Sequence, residues 1–452
     1  MGKAVFIFSA IIFFYGILSS SGSKKLIWFF AGIIFFSDRI MLIDVPTKMS
    51  FDRFLVYALI VSEFLRLNKA ATSFKSFPIK YPLLIFFFGL LCIGLFDERI
   101  GLFLKLYRPV DYFFQTTLVS FLCYSSLNNI KGWTKFLKFL LISSIPLSIY
   151  GFYNFFAKSN PLDHLFTALY HSVSPFDDYA LSGERFRINS FVSHPIYYGY
   201  LCGVLLLITI YCFYFSKELK RLSIICIPLL LSNLILANSR TPIVAFVIGL
   251  LLFITIAFRN MRKFQIAALL AITGIVLVSI PAVSGKLKAS ADLLKMDGGK
   301  TSGSSLNMRV VQLQASYNEF LKKPAFGNGL YFIEENLGWA DAEQERISDP
   351  DFEGFESYLY QLLIEQGAMG IVTTFIFVIS IGFYFLKNRK ISSEVTSLGL
   401  SVLTMFILFS FGTGTLHSWV ISMGIIGIAI KYIELKRRER QSSDTRLSRN
   451  RQ

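Results

Sequence analysis

The stretch ERFRINSFVSHPIYYGY, residues 184–200, sets Arg185, Arg187 and His194 close together, directly before an apolar segment. ANSRTPIVAF repeats the construction, with Arg240, Thr241 and Pro242 opening another apolar segment. Proline is favoured in the first turn of a helix, where its missing N–H would have no partner. Both joints therefore predict helix N-termini with a guanidinium beside them: Ser193 and His194 start one helix, and Thr241 caps the other. A helix N-terminus presents free N–H groups and the positive end of the dipole, so an adjacent arginine completes an anion site. The competing reading is that these arginines only reach to lipid head groups.

A third cation, Arg309, lies in SLNMRVVQLQASYNEFLKKPAFGNGL. Leu306, Val310, Leu313, Tyr317, Phe320 and Leu321 fall at helical spacing, which predicts an amphipathic helix over 306–321. Pro324 and the Gly327–Gly329 turn stop it. Arg309 then stands near the helix start, where an anion gains from dipole and side chain together. Further on, DPDFEGFESYLYQLLIEQGAMGIV places Glu356 just ahead of an apolar re-entry. Partial dehydration there would suit its carboxylate to general-base work, and the dipole of the following helix could equally account for it. His194, beside Arg187, is the second candidate base. Gly367 and Gly370 read as helix-packing positions.

The elements that must hold these residues are set by composition. Of the 452 residues, 54% are hydrophobic and only 16% charged, whereas a soluble domain carries about a quarter charged residues. The apolar residues come in blocks of about twenty, the length that crosses a bilayer as a helix. We expect an all-α polytopic membrane protein with spans near 4–21, 25–43, 51–66, 79–96, 109–127, 135–157, 195–215, 221–237, 242–258, 264–283, 359–386, 395–411 and 416–433. That is about 13 spans, with 12–14 allowed by the charges that interrupt the early ones. The first apolar stretch lacks a clear signal-cleavage site and reads as a retained helix. Residues 1–433 form a single membrane domain and 434–452 a basic tail.

The net charge of +16 gathers in that tail and in short loops such as SKELKR, RNMRK and KNRK. Basic clusters beside membrane helices set topology, so nucleic acid is not the expected partner. With the tail inside, NNIKGWTK and RLNKAATSFKSFPIK also fall inside, and the two long segments 158–194 and 284–358 fall outside. Loops of that length are usually functional or disordered, and their aromatic, glycine and proline content favours function. The five cysteines lie in apolar spans and read as small buried hydrophobes. No P-loop, dinucleotide fingerprint or HExxH occurs, and the histidines are not at metal-ligand spacing, so neither metal nor cofactor is expected. The DPD of Asp349 and Asp351 imitates a nucleotide-sugar motif but falls on the outer side, away from such donors.

In the order RINSFVSHPIYYG, NSRTP, NMRVVQLQASYNEFLKKPAFGNG and ESYLYQLLIEQGAMG, residues 184–385 resemble the superfamily of O-antigen polymerases (Wzy-type) and O-antigen ligases. The likeness extends to an arginine before a helix-opening proline, an SR-small segment, an R…P-x-x-G-x-G helix-turn and a YL…E-x-G-x-x-G segment. Ligases of this kind carry a histidine just before the YL segment, where this chain has Phe355 and Glu356. The resemblance implies a metal-independent glycosyltransferase on the outer face of a bacterial cytoplasmic membrane. Its donor would be a glycan on undecaprenyl pyrophosphate and its acceptor another lipid-linked repeat unit. A chain-length regulator or flippase would be a possible protein partner. Arg187, Arg240 and Arg309 would then hold the pyrophosphate, with Glu356 or His194 as base. Ligase-type transfer to a different acceptor is one alternative, and a lipid-linked-oligosaccharide flippase another. Transporters, however, favour repeat symmetry and mid-membrane charges, and the sequence shows no such symmetry.

Overall fold

The computed structural model describes residues 2–36, 40–43, 49–170, 186–258, 305–338, 357–413 and 416–449. Among the described residues it is all-α apart from one antiparallel pair of very short strands, β1 (Met41–Ile43) and β2 (Met49–Ser50). Helices α1 (Gly2–Ser19), α2 (Ser23–Phe35), α3 (Phe51–Phe64), α4 (Leu67–Ser76) and α5 (Lys80–Leu95) begin the chain. They are followed by α6 (Leu102–Gln115), α7 (Leu118–Ser126), α8 (Ile130–Ala157) and α9 (Pro161–Tyr170). The remainder comprises α10 (Pro195–Phe215), α11 (Lys220–Leu236), α12 (Arg240–Ala257), α13 (Ser305–Lys322), α14 (Tyr358–Lys387), α15 (Ser393–Gly412) and α16 (Leu416–Arg449).

Among the described residues six helices are long and apolar enough to cross a bilayer, or seven if α4 and α5, bent by 105°, make one broken span. The protein is a multi-pass membrane protein. Several expected spans have different boundaries: α8 begins at Ile130, and α16 continues from the expected 416–433 through the basic tail to Arg449. The one expected over 25–43 ends as a helix at Phe35, and the chain passes on into β1. The one expected over 109–127 is divided: Thr116 leaves helical geometry (φ −110°, ψ −91°), separating α6 from α7. Neither break has a proline or glycine at its centre to announce it. The span expected over 264–283 lies outside the described residues.

Burial follows from composition. Helix α10 is apolar all round, and its side chains are buried along most of its length, as suits a central helix. Close approach elsewhere uses small residues. A side chain at Gly427 would collide with the Ser120 backbone of α7, and one at Gly424 would press on Phe30 of α2, so α16 lies tight against both helices. Large apolar side chains such as Phe8, Phe88, Phe156 and Phe383 remain exposed on the bundle sides, where lipid tails are their natural neighbours. Cys123, Cys202, Cys212 and Cys226 are buried thiols.

The basic loops meet at one end of the bundle. Arg66 donates to Ser20 O (3.1 Å), Lys69 to Asn128 Oδ1 (2.7 Å), and Lys436 to Glu394 (2.8 Å). Arg440 donates to Lys390 O (3.0 Å), and Arg389 to Ile256 O (3.3 Å). The helices among these that are long enough to cross a bilayer, α8, α12, α14, α15 and α16, send their other termini to the opposite end, which carries the residues of interest.

Candidate functional site

His194 caps α10 and Pro195 is its first residue, as the sequence predicts. The cap is made by the imidazole itself, whose Nδ1 accepts the Ile196 N–H at 3.2 Å. A ring accepting at Nδ1 carries its proton on Nε2 when neutral, so in this arrangement it donates from Nε2 and offers no second lone pair. At the other joint the helix begins two residues earlier than expected. Ser239 is the N-cap, Arg240 is the first helical residue, and Thr241 lies inside the first turn. The chain can turn there because Asn238 adopts left-handed geometry (φ 52°), which asparagine tolerates better than most residues.

The two joints are adjacent. The Ile188 N–H donates to Leu236 O (3.5 Å), laying the segment that carries Arg187 across the end of α11. A Cβ on Gly199 would touch Pro242 and Ala237, so the first turns of α10 and α12 pack directly. Thr241 in turn lies against Gly412 at the end of α15. Arg187 is half-buried in this corner and Arg240 is exposed. Below it an aromatic wall runs inward: His194 beside Tyr197 (5.4 Å), Tyr197 beside Phe409 (6.1 Å), and Phe409 stacked on Tyr200 (4.2 Å). The Tyr200 hydroxyl shares a hydrogen bond with Ser422 (2.6 Å).

Arg309 belongs to α13, which is held against α14. The helix matches its expected bounds, but the side that packs is a different one. Gln312, Ala315 and Ser316 are buried, while Val310, Leu313, Tyr317 and Leu321 remain exposed. Small side chains let α13 approach closely, and Ala315 joins Ile333 and Ile364 in a small separate core. Glu356, Arg185, Asp349 and Asp351 lie outside the described residues.

The PAFGNG and EQGAMG segments interlock through their backbones. Asn328 N donates to Ile364 O (2.9 Å) and Gly329 N to Glu365 O (3.0 Å). In return Ala368 N donates to Pro324 O (2.9 Å) and Met369 N to Ala325 O (3.0 Å). Gly327 (φ 71°) and Gly367 (φ 60°) lie on the two sides of this lock; a side chain on Gly327 would strike the Glu365–Gln366 backbone, and one on Gly367 the Gly327 nitrogen. Gly367 is thus a kink in α14 as well as a packing position, and only glycine meets both demands.

Sequence reasoning missed what surrounds the lock. Phe96 stacks on Phe326 at 4.1 Å, and the corner between α5 and α6 carries Asp97, Arg99 and Arg108 against residues 329–336. Tyr331, itself left-handed (φ 64°), gives its hydroxyl to the buried Asp111 (3.2 Å), which also accepts from Tyr57 (2.7 Å). Burial pushes the Tyr331 phenol up, and the nearby Arg53 opposes that shift. No motif announces the contacts of this corner with residues 326–336, because those partners lie more than two hundred residues apart.

Residues 224–375 match the model of a family described as O-Antigen ligase (Wzy_C). Over those residues the match supports the resemblance to the O-antigen ligase/polymerase superfamily. No curated protein matches the chain. The matched stretch contains Arg240, Arg309 and the interlocked glycines; Arg187, His194 and the α5–α6 corner precede it. The match supports glycan transfer of the ligase/polymerase type, acting on a lipid-linked glycan.

Proposed function

We propose that the protein is a polysaccharide polymerase of the outer face of the bacterial cytoplasmic membrane. It transfers a growing glycan from undecaprenyl pyrophosphate to a lipid-linked repeat unit. The observation that carries this reading is the pairing of the Arg187 and Arg240 joints at adjacent helix N-termini, on the end of the bundle opposite the basic loops. The leaving group in such a transfer is a pyrophosphate, and its growing charge must be met by fixed cations and N–H dipoles. Arg187, Arg240 and Arg309 supply that charge, so the reaction proceeds without a metal. Glu356 takes the proton from the acceptor hydroxyl, while His194, committed to its cap through Nδ1, donates from Nε2.

A polymerase is favoured over a ligase because Glu356 occupies the neighbourhood where ligases carry histidine. The decisive experiment is the glycan profile of a deletion strain. Loss of the ladder with a single repeat unit retained supports polymerase. Accumulation of long lipid-linked polymer points to ligase, and trapping of repeat units on the inner leaflet to a flippase.

A further inference from the structure

We propose that the corner between α5 and α6 is a socket that fixes the large loop for glycan transfer, with Arg99 and Arg108 as its positioning residues. The role in transfer rests on the function proposed above; the docking itself does not. The Arg108 guanidinium meets the Glu335 carboxylate in a two-pronged pair, one prong at 3.0 Å, and also donates to Leu330 O at 3.2 Å. Arg99 donates to the same Leu330 carbonyl (3.3 Å) and to Glu335 (3.3 Å), while Asp97 holds it from behind (2.7 Å). The two guanidinium groups lie over the rings of Phe332 (5.0 Å) and Tyr331 (5.6 Å).

Two features make this a fitted socket and not a chance surface pair. A Cβ on Gly329 would run into the Asp97 carboxylate, so the turn is shaped to the corner as well as to α14. Both cations are also spent: two carboxylates and a shared carbonyl engage them, so they hold protein and leave the pyrophosphate to other arginines. The forked geometry needs arginine, since a lysine point charge cannot make the paired contact.

The consequence is positional. The docked segment lies between α13, which carries Arg309, and the chain leading to Glu356. Catalytic groups must be held to a fraction of an ångström, and a displacement of about 1 Å costs about a hundredfold in rate. The socket therefore ties residues before the family-matched stretch to the geometry of residues within it.

The test is a charge exchange in the full-length protein: Arg108→Glu, Glu335→Arg, and both together. Polymer synthesis from purified lipid-linked repeat units is measured alongside docking. Docking is read from Glu98→Cys and Lys323→Cys, whose native side chains meet at 3.7 Å, joined by a short thiol-reactive linker in a Cys92→Ser background. Each single variant should lose cross-linking and about a hundredfold in kcat, with KM nearly unchanged. The exchanged pair should regain most of both. Full activity in the single variants despite lost cross-linking would overturn the positioning role. An exchanged pair as inactive and undocked as the singles would overturn the socket. If cross-linking follows the charge pattern but the native protein makes no polymer, the socket stands and the proposed reaction fails.

Discussion

At the scale of single residues, two membrane helices open beside arginines, Arg187 ahead of α10 and Arg240 at the start of α12. An arginine at membrane depth costs about 2.5–3.5 kcal/mol or more, so a half-buried one must have a role to offset it. Replacing Arg187 or Arg240 by Ala should abolish polymer while the protein still inserts, and Lys should rescue only in part. Normal polymer from both Ala variants would return these side chains to head-group contact. The base is tested by Glu356→Gln against His194→Gln at matched protein levels. General-base assistance is worth about 10²–10⁴-fold, so the first should fall by about two orders of magnitude. Full activity in Glu356→Gln would end that assignment. The Pro195 joint was legible because proline announces a helix start. The cap at Ser239 was not, because Ser239 and Thr241 both suit an N-cap and the left-handed Asn238 decides between them. Gly367 shows the same limit: its spacing reads as packing, and its kink appears only once Gly327 is placed opposite.

At the scale of elements, hydrophobic blocks located most helices to within a few residues, and they are silent about charges packed between helices. Helix α2 illustrates this. Its Lys25 is 1% exposed and pairs at 2.7 Å with Glu63 of α3, so a charge that looks like a loop marker is in fact packed inside. Removing one partner of a buried ion pair strands the other, at a cost of about 3–5 kcal/mol, whereas an apolar pair of similar volume is often neutral. Lys25→Ala or Glu63→Ala should therefore sharply lower the thermal midpoint in detergent. Lys25→Met combined with Glu63→Leu should restore it. If the double variant stays as unstable as either single one, the pair has a role beyond mutual compensation. The exposed apolar stripe of α13 carries a related lesson. Periodicity identifies a helix, but small residues on its far side determined which face packs.

At the scale of the whole molecule, the chemistry stands or falls with topology. The sequence assigned sides from loop charge alone, loop by loop. Among the described residues, several of those loops bond to neighbouring loops and helix ends through Arg66, Lys69, Arg389, Lys436 and Arg440. Such a gathering is what the positive-inside rule requires of one membrane face. On the proposed function, the α5–α6 corner and the arginine joints share the other face, where the lipid-linked glycan would be presented. Single cysteines test this in intact cells with a membrane-impermeant thiol reagent. Glu98→Cys, at a side chain 84% exposed beside the socket, should label, and Ser442→Cys, on the exposed end of α16, should label only after the cells are opened. The reverse pattern would put the arginines on the cytoplasmic face. It would remove the pyrophosphate site together with the base, leaving the socket as a structural joint alone.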